Sequence, residues 1–279
     1  MIYETLGSAQ TELISGGNLS YTPPLVASGL NLISGGELIW NTLGDTNLEL
    51  ISGGTLEYDL SSSTLLAKTI AYWKFEEASG TRFDSHTDDF RLTASGSGSV
   101  SSVTGIVGDA IGELSNFNIS DFGSITVENA FSLTQIDFIG FSFNVKFADV
   151  STGNGDIIEN RNSSAQYKLN IDNSGNVTLT VSDDNSNELS LTYSATSIDN
   201  DIWYQIIFEV NKTTGEMNLQ IDDGAVESAS AFTSNYLSAS SVGFRSSASV
   251  DEMLAYNAPL TVGERAQLWN SGSRTTYPF

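Results

Sequence analysis

Phe141-Ser-Phe-Asn-Val-Lys-Phe147 sets an apolar residue at every second position. Side chains of an extended strand alternate between two faces, so this run reads as a strand with one face in a core. The same period recurs in Val177-Thr-Leu-Thr-Val181, Leu189-Ser-Leu-Thr-Tyr193 and Met217-Asn-Leu-Gln-Ile221. Trp203-Tyr-Gln-Ile-Ile-Phe-Glu-Val210 is more continuously apolar and suits a central strand covered on both sides. Turn-forming residues separate these runs: Asp172-Asn-Ser-Gly175, Asp183-Asp-Asn-Ser186, Asn211-Lys-Thr-Thr-Gly215 and Asp222-Asp-Gly224. Many short strands punctuated in this way predict an all-β fold, an antiparallel sandwich or barrel. One short C-terminal helix interrupts it. Thr261-Val-Gly-Glu264 has the form of a capping box, and Ala266, Leu268 and Trp269 follow with apolar character.

Composition excludes several function classes. The 279-residue chain carries 34 acidic and 11 basic side chains, a formal charge of −23, one His and no Cys. Nucleic acid as a partner is disfavoured, because phosphates need a clustered Lys/Arg surface. An anionic membrane surface is disfavoured for the same reason, and no apolar run approaches the ~18 residues of a membrane span. Without Cys there are no disulfides, thiolate metal sites or Cys nucleophile. The segment Met1–Gly17 has neither a basic region nor an apolar core, so no export signal is expected there.

Three copies of Leu-Ile-Ser-Gly-Gly-x-Leu-x-aromatic begin at Leu13, Leu32 and Leu50, with offsets of 19 and 18 residues. Each is an apolar run, a Gly-Gly turn and a second alternating run, and so reads as one β-hairpin. Lone hairpins bury too little surface to stand alone. Stacking, or three chains wrapped about one axis, would cover their Leu and Ile residues; a hairpin meander on the main domain is the plainer alternative. The repeats resemble the shafts of trimeric viral fibres, which implies a homotrimer formed through them. Ser61-Ser-Ser-Thr64 is a plausible linker, dividing the chain into an N-terminal repeat segment, 1–64, and a large domain, 65–279.

The large domain resembles the laminin G-like, concanavalin A-like jelly-roll family in the version common in phage virion proteins and bacterial surface proteins. The resemblance rests on Ala71-Tyr-Trp-Lys-Phe-Glu-Glu-Ala-Ser-Gly-Thr-Arg-Phe-Asp-Ser85, Gly105-Ile-Val-Gly-Asp-Ala110, Phe141–Phe147, Asp201-Ile-Trp-Tyr204 and Val250-Asp-Glu-Met-Leu-Ala-Tyr-Asn-Ala-Pro-Leu260. It implies a two-sheet antiparallel jelly-roll sandwich and, as in many relatives, one structural Ca²⁺. Matched motif to motif, Asp251 takes the closing-strand ligand role and Asp84 that of the opening loop. Host-surface glycan is the family's natural ligand class, and the loops of Asp149–Asn154, Asp183–Asn187 and Thr233–Tyr236 are where to seek it. Trp73, Trp203 and Trp269 look like core residues, whereas Tyr167, Tyr236 and Trp40 look freer.

Catalysis is not expected. A retaining glycosidase on this fold needs two carboxylates on one side of a strand, commonly as Glu-x-Asp-x-x-Glu. Here Glu76-Glu77 and Asp251-Glu252 are adjacent, so their side chains diverge. His86 lies in a polar Ser-His-Thr-Asp-Asp loop without a nucleophile motif. The parts together suggest a non-enzymatic structural or adhesion protein on the surface of a bacteriophage virion: head fibre, capsid decoration or tail fibre, docked to capsid or tail proteins. The alternative is a carbohydrate-binding module of a bacterial surface or secreted protein.

Overall fold

The computed structural model describes strand segments within residues 11–58 and residues 64–274, apart from 78, 95–101, 113–116, 122–125, 152–154, 162–164, 237–240 and 245–247. The chain forms two compact units that divide near Ala67. In the first, each repeat contributes two short strands: β1 (Thr11–Leu13) and β2 (Asn18–Tyr21), β3 (Leu30–Leu32) and β4 (Glu37–Trp40), β5 (Leu48–Leu50) and β6 (Thr55–Tyr58). The expected hairpins do not form. Strand β1 pairs in parallel with β3 and β3 with β5, while β2 pairs with β4 and β4 with β6. Like positions meet at every rung: Leu13 lies beside Leu32 and Leu32 beside Leu50, and Tyr21 beside Trp40 and Trp40 beside Tyr58. A near-constant repeat makes this stacking self-consistent, as in a solenoid, because each coil offers the next an identical ladder. The Gly-Gly turns and the residues of the expected linker before Thr64 lie outside the described residues.

The second unit is the sandwich, entered from a short helix, α1 (Thr64–Lys68). Its early strands are β7 (Thr69–Trp73), β8 (Arg82–Phe83), β9 (Phe90–Ala94), β10 (Ser102–Thr104), β11 (Asp109–Ile111) and β12 (Phe117–Asp121). Helix α2 (Val127–Phe131) leads to β13 (Phe138–Lys146), β14 (Gly155–Arg161), β15 (Ala165–Ile171), β16 (Val177–Ser182) and β17 (Glu188–Thr192). The chain closes with β18 (Tyr204–Asn211), β19 (Glu216–Ile221), β20 (Glu227–Ser230), β21 (Ser241–Phe244), β22 (Ser249–Tyr256) and helix α3 (Val262–Trp269). One eight-stranded sheet runs β10-β11-β22-β13-β18-β19-β20, with β7 also on β22; the other runs β17-β16-β15-β14-β21-β12-β9-β8. Their pairings are antiparallel, so the fold is an all-β, two-sheet jelly-roll sandwich with a short C-terminal helix, as expected.

Alternation decides which face meets the core. Phe141, Phe143 and Val145 of β13 point inward with Ile206, Phe208 and Val210 of β18. From the opposite sheet come Tyr167, Leu169 and Ile171 of β15 and Val177, Leu179 and Val181 of β16. Aromatic rings fill the space between the layers: within the first sheet Phe141 stacks on Phe208 at 5.3 Å, Phe141 also stacks on Phe131 of α2 at 5.9 Å, and Tyr167 of the opposite sheet lies 6.0 Å from Phe208.

The outer face of the first sheet is polar yet buried, because α3 and the residues after it lie across it. Thr261 and Glu264 make the expected capping box: Glu264 N–H donates to Thr261 Oγ1 at 3.2 Å and Thr261 N–H to Glu264 Oε2 at 2.7 Å. Arg265 then reaches Glu209 on β18 at 2.5 Å and Gln220 on β19 at 3.0 Å. Glu209, 1% exposed, also accepts from Tyr256 Oη, Leu260 N–H and Asn218 Nδ2. Beyond the helix, Arg274 bonds Asn144 at 2.8 Å and Asp222 at 3.0 Å. Among the described residues no helix is long and apolar enough to cross a membrane.

Candidate functional site

The two acidic residues singled out for calcium occupy different settings. Asp84 follows β8 and is 4% exposed. Its Oδ1 accepts the N–H groups of Tyr72 and His86, both at 2.9 Å; its Oδ2 accepts Thr87 N–H at 3.2 Å and Thr87 Oγ1 at 2.7 Å. Burial raises its pKa, with His86 N–H and the hydroxyl and N–H of Thr87 pulling against the rise. With four donors on its two oxygens, Asp84 is a turn-forming residue that holds its own loop to β7.

Asp251 lies on β22 and is fully buried. Its Oδ2 accepts Ile106 N–H at 2.9 Å and Val107 N–H at 3.0 Å, whereas Oδ1 has no partner among the described residues. Glu76 closes the same turn by accepting Asp109 N–H at 3.2 Å. Burial raises the Asp251 pKa to about 7; the backbone N–H groups of Val107, Ile106 and Glu252 oppose the rise, and the charge of Glu76 adds to it. Next in the chain, Glu252 has φ 49° where β22 slips register against β13, so a non-glycine residue takes the left-handed conformation at a bulge. Its carboxyl group accepts the hydroxyl of Tyr72, and burial lifts its pKa to about 8.

This arrangement fits calcium poorly. A calcium ion takes six to eight oxygens, while Asp84 has none to spare and Asp251 offers one. The charged neighbour that Asp251 feels is Glu76 rather than Asp84, and no group of three or more His, Cys, Asp or Glu side chains placed to hold a metal ion occurs among the described residues. What the carboxylates do is bind backbone: the closing strand grips the Gly105–Asp109 turn through Asp251, and the opening strand grips its own loop through Asp84.

A cleft opens at one end of the sandwich. Its volume is about 480 Å³, and it is lined by Asp149, Val150, Ser151, Asn173, Ser174, Ile198, Asp199 and Asn200. A second depression of about 440 Å³ shares Asn173 and Ser174, so the tip of the 172–176 loop stands between the two. That tip is held rigidly. Asp172 Oδ1 accepts Ser174 and Asn176 N–H at 2.8 and 3.0 Å, and its Oδ2 accepts Asn176 Nδ2 at 2.7 Å. Those donors lower the Asp172 pKa, Asn176 most of all. Gly175 takes φ 80°, and a Cβ there would run into the carbonyl oxygen of Ile198 in the facing loop. On the other wall, Asn200 Oδ1 accepts Val150 N–H at 2.8 Å, leaving its amide N–H groups to the cleft. The same loop continues into Ile202, 48% exposed, and half-buried Trp203, with the Lys146 ammonium 5.1 Å above its ring.

Of the loops in which a ligand was sought, only Asp149–Asn154 contributes to this cleft, through its described residues Asp149–Ser151. The other two lie together elsewhere: Asp184 N–H donates to Asn235 O at 2.7 Å. The Ile198–Asn200 wall was not anticipated, since nothing in Ser-Ile-Asp-Asn distinguishes it from any loop. The aromatic expectations also need correction. Tyr167 and Tyr236 are buried, with hydroxyls donated to the carbonyls of Phe131 and Phe232. Trp73 is core as expected, Trp203 is half-exposed, and the side chain of Trp40 lies outside the described residues.

No protein family model and no curated protein matches the chain. Solved structures do match its fold. The binding domain of Paraclostridial Mosquitocidal Protein 1 superposes with a TM-score of 0.58 at 17% identity, covering 75% of this chain and 53% of that one. The receptor binding domain of botulinum neurotoxin mosaic serotype C/D gives 0.59 at 15%, covering 75% and 52%. A structure of botulinum neurotoxin type C, whose cell entry depends on interaction with two ganglioside molecules, gives 0.58 at 13%, covering 75% and 52%. The chain thus spans about half the length of the solved structures it matches, and identities this low establish the fold. The similarity runs to toxin receptor-binding domains rather than to phage fibre proteins. It overturns the expected virion appendage with its location on a particle, its capsid or tail partners and its fibre-type trimer.

Proposed function

We propose that the sandwich is a non-enzymatic glycan-binding module of a bacterial surface or secreted protein, with its ligand in the cleft between the 149–151, 172–176 and 198–200 loops. The observation that carries this reading is the fold shared with toxin receptor-binding domains. The cleft supports it chemically. Asn173, Ser174, Asp199 and Asn200 present donors and acceptors on loops fixed by internal hydrogen bonds, and Ile202 and Trp203 add an apolar step in the same loop. Sugars are recognised by such a mixture of polar groups that fix orientation and flat apolar surface.

The full-length chain on a glycan array tests the reading, alongside the variants Asn173→Ala and Trp203→Ala. Retention of a defined glycan set by the parent is expected. Each variant should weaken it about tenfold, the equivalent of one lost hydrogen bond or stacking contact of roughly 1.4 kcal/mol, with an unchanged melting temperature for Asn173→Ala. No retention of any glycan, or retention indifferent to both changes, would refute it.

A further inference from the structure

Resting on that reading, we infer that the cleft selects uncharged saccharides and rejects sialylated, sulfated or uronate-bearing ones. None of the eight lining residues is Lys or Arg, while Asp149 and Asp199 are among them and Asp172 lines the adjoining depression. The carboxylate of Asp199 is exposed and engaged in no hydrogen bond among the described residues. Lys146 is directed at the ring of Trp203. Carboxylates only accept hydrogen bonds, so they match hydroxyls, which donate, and oppose a second carboxylate or sulfate, which also only accepts. Hydroxyls of a neutral hexose can donate to Asp199 while accepting from the amides of Asn173 and Asn200; Asp149, whose Oδ1 accepts Ser151 N–H at 3.0 Å and Ser151 Oγ at 2.7 Å, adds its negative charge. An acidic sugar would bring its charge beside Asp149 and Asp199, with Asp172 in the adjoining depression and no Lys or Arg among the residues that line the cleft, on a chain of formal charge −23. Three such charges at about 7 Å, screened at 0.15 M salt, disfavour a monoanion by roughly threefold to tenfold.

The experiment uses the full-length chain and immobilised pairs that differ by one acidic group: N-acetyllactosamine against its sialyl derivative, galactose against its sulfate, glucose against glucuronate. At 0.15 M salt the neutral member of a recognised pair should be retained about three to ten times better, and the gap should shrink as salt rises to 1 M. The Asp199→Asn and Asp149→Asn variants are read as the ratio of acidic to neutral binding. Each should raise that ratio by about 1.5-fold to twofold, whatever it does to either member alone. Equal or stronger binding of the acidic members, or a ratio that neither salt nor the variants move, overturns this inference and leaves the glycan-binding reading standing. No retention of either member of any pair overturns the reading itself and the inference with it.

Discussion

Replacing Asp251 with Asn should stabilise the domain at pH 8 and flatten its response to pH. The native carboxylate is fully buried, with one oxygen satisfied by Ile106 and Val107 N–H and the other without a partner among the described residues. Its pKa stands near 7 in the fold against an ordinary 3.8. Between those values the folded chain holds one proton more than the unfolded chain, so stability falls as pH rises from about 4 to 7 and is level above 7. At 1.36 kcal/mol per pH unit the full window is worth about 4 kcal/mol. Relaxation around a buried charge makes about 2 kcal/mol the realistic gain, or 4–8 °C in melting temperature for a domain of this size. The asparagine keeps an acceptor for the two loop amides and removes the buried charge that Glu76 opposes. Glu252, with its own pKa raised to about 8, remains and leaves a shallower slope. Thermal melts of both proteins at pH 5, 6, 7 and 8, with EDTA and with millimolar calcium, decide the matter. A variant that melts below the parent at pH 8 in EDTA would refute the argument. Destabilisation confined to calcium-containing buffer would instead assign the Asp251 charge to a bound cation.

Arg265→Met strands the buried Glu209 carboxylate with three neutral donors and should cost about 3 kcal/mol, a melting temperature lower by roughly 6–12 °C. The double variant Glu209→Gln with Arg265→Met should recover part of that loss in a double-mutant cycle, and purely additive losses would show that the pair is not coupled. Ser186, at φ 64° in the loop that copies Asp172–Asn176, should gain about 0.5 kcal/mol on change to Gly, read by chemical denaturation. Gly175→Ser, at the matching position, should cost about 2–3 kcal/mol, because its Cβ meets the Ile198 carbonyl in addition to the strained φ.

The period-two runs carried most of the sandwich, because a half-buried strand writes its burial directly into alternate residues. Phe141, Phe143 and Val145 are core as read, and so are Val177, Leu179 and Val181. The same rule would have placed Tyr167, which shares its parity with Leu169 and Ile171 on β15. It looked freer in the sequence, but it is buried, and the Phe131 carbonyl accepts its hydroxyl inside. In the repeats the Gly-Gly turn suggested hairpins, whereas the near-identity of successive copies favours stacking like on like. The buried Glu209 was not legible, since an acid on an outer strand face reads as solvent-exposed until a helix distant in sequence is known to cover it. Asp84 and Asp251 were noticed for their motifs. Their role as clasps on backbone N–H groups depends on which turn reaches each carboxylate, and that is set by tertiary structure.

One turn motif, used twice, sets the loop that borders the proposed cleft apart from its counterpart. In Asp172-Asn-Ser-Gly-Asn176 and Asp183-Asp-Asn-Ser-Asn187 the leading Asp accepts the N–H groups of the third and fifth residues and the amide of the final Asn. Both loops are therefore rigid, and in both the aspartate is spent on its own backbone. The difference lies at the tips. Asp184 donates its N–H to Asn235, and Asn185 turns its amide onto Asp184, so the second tip is occupied by the protein itself. At the first tip Asn173 and Ser174 stand exposed between two depressions, and the Ile198 segment that packs on Gly175 places Asp199 and Asn200 opposite them. Rigid loops with unspent donors and acceptors lose little entropy on gaining a ligand. The closed loop spends its hydrogen bonds on folding and the open one holds them in reserve, so grafting Asn173–Ser174 onto positions 184–185 should create no binding there, as an array measurement of that variant would show.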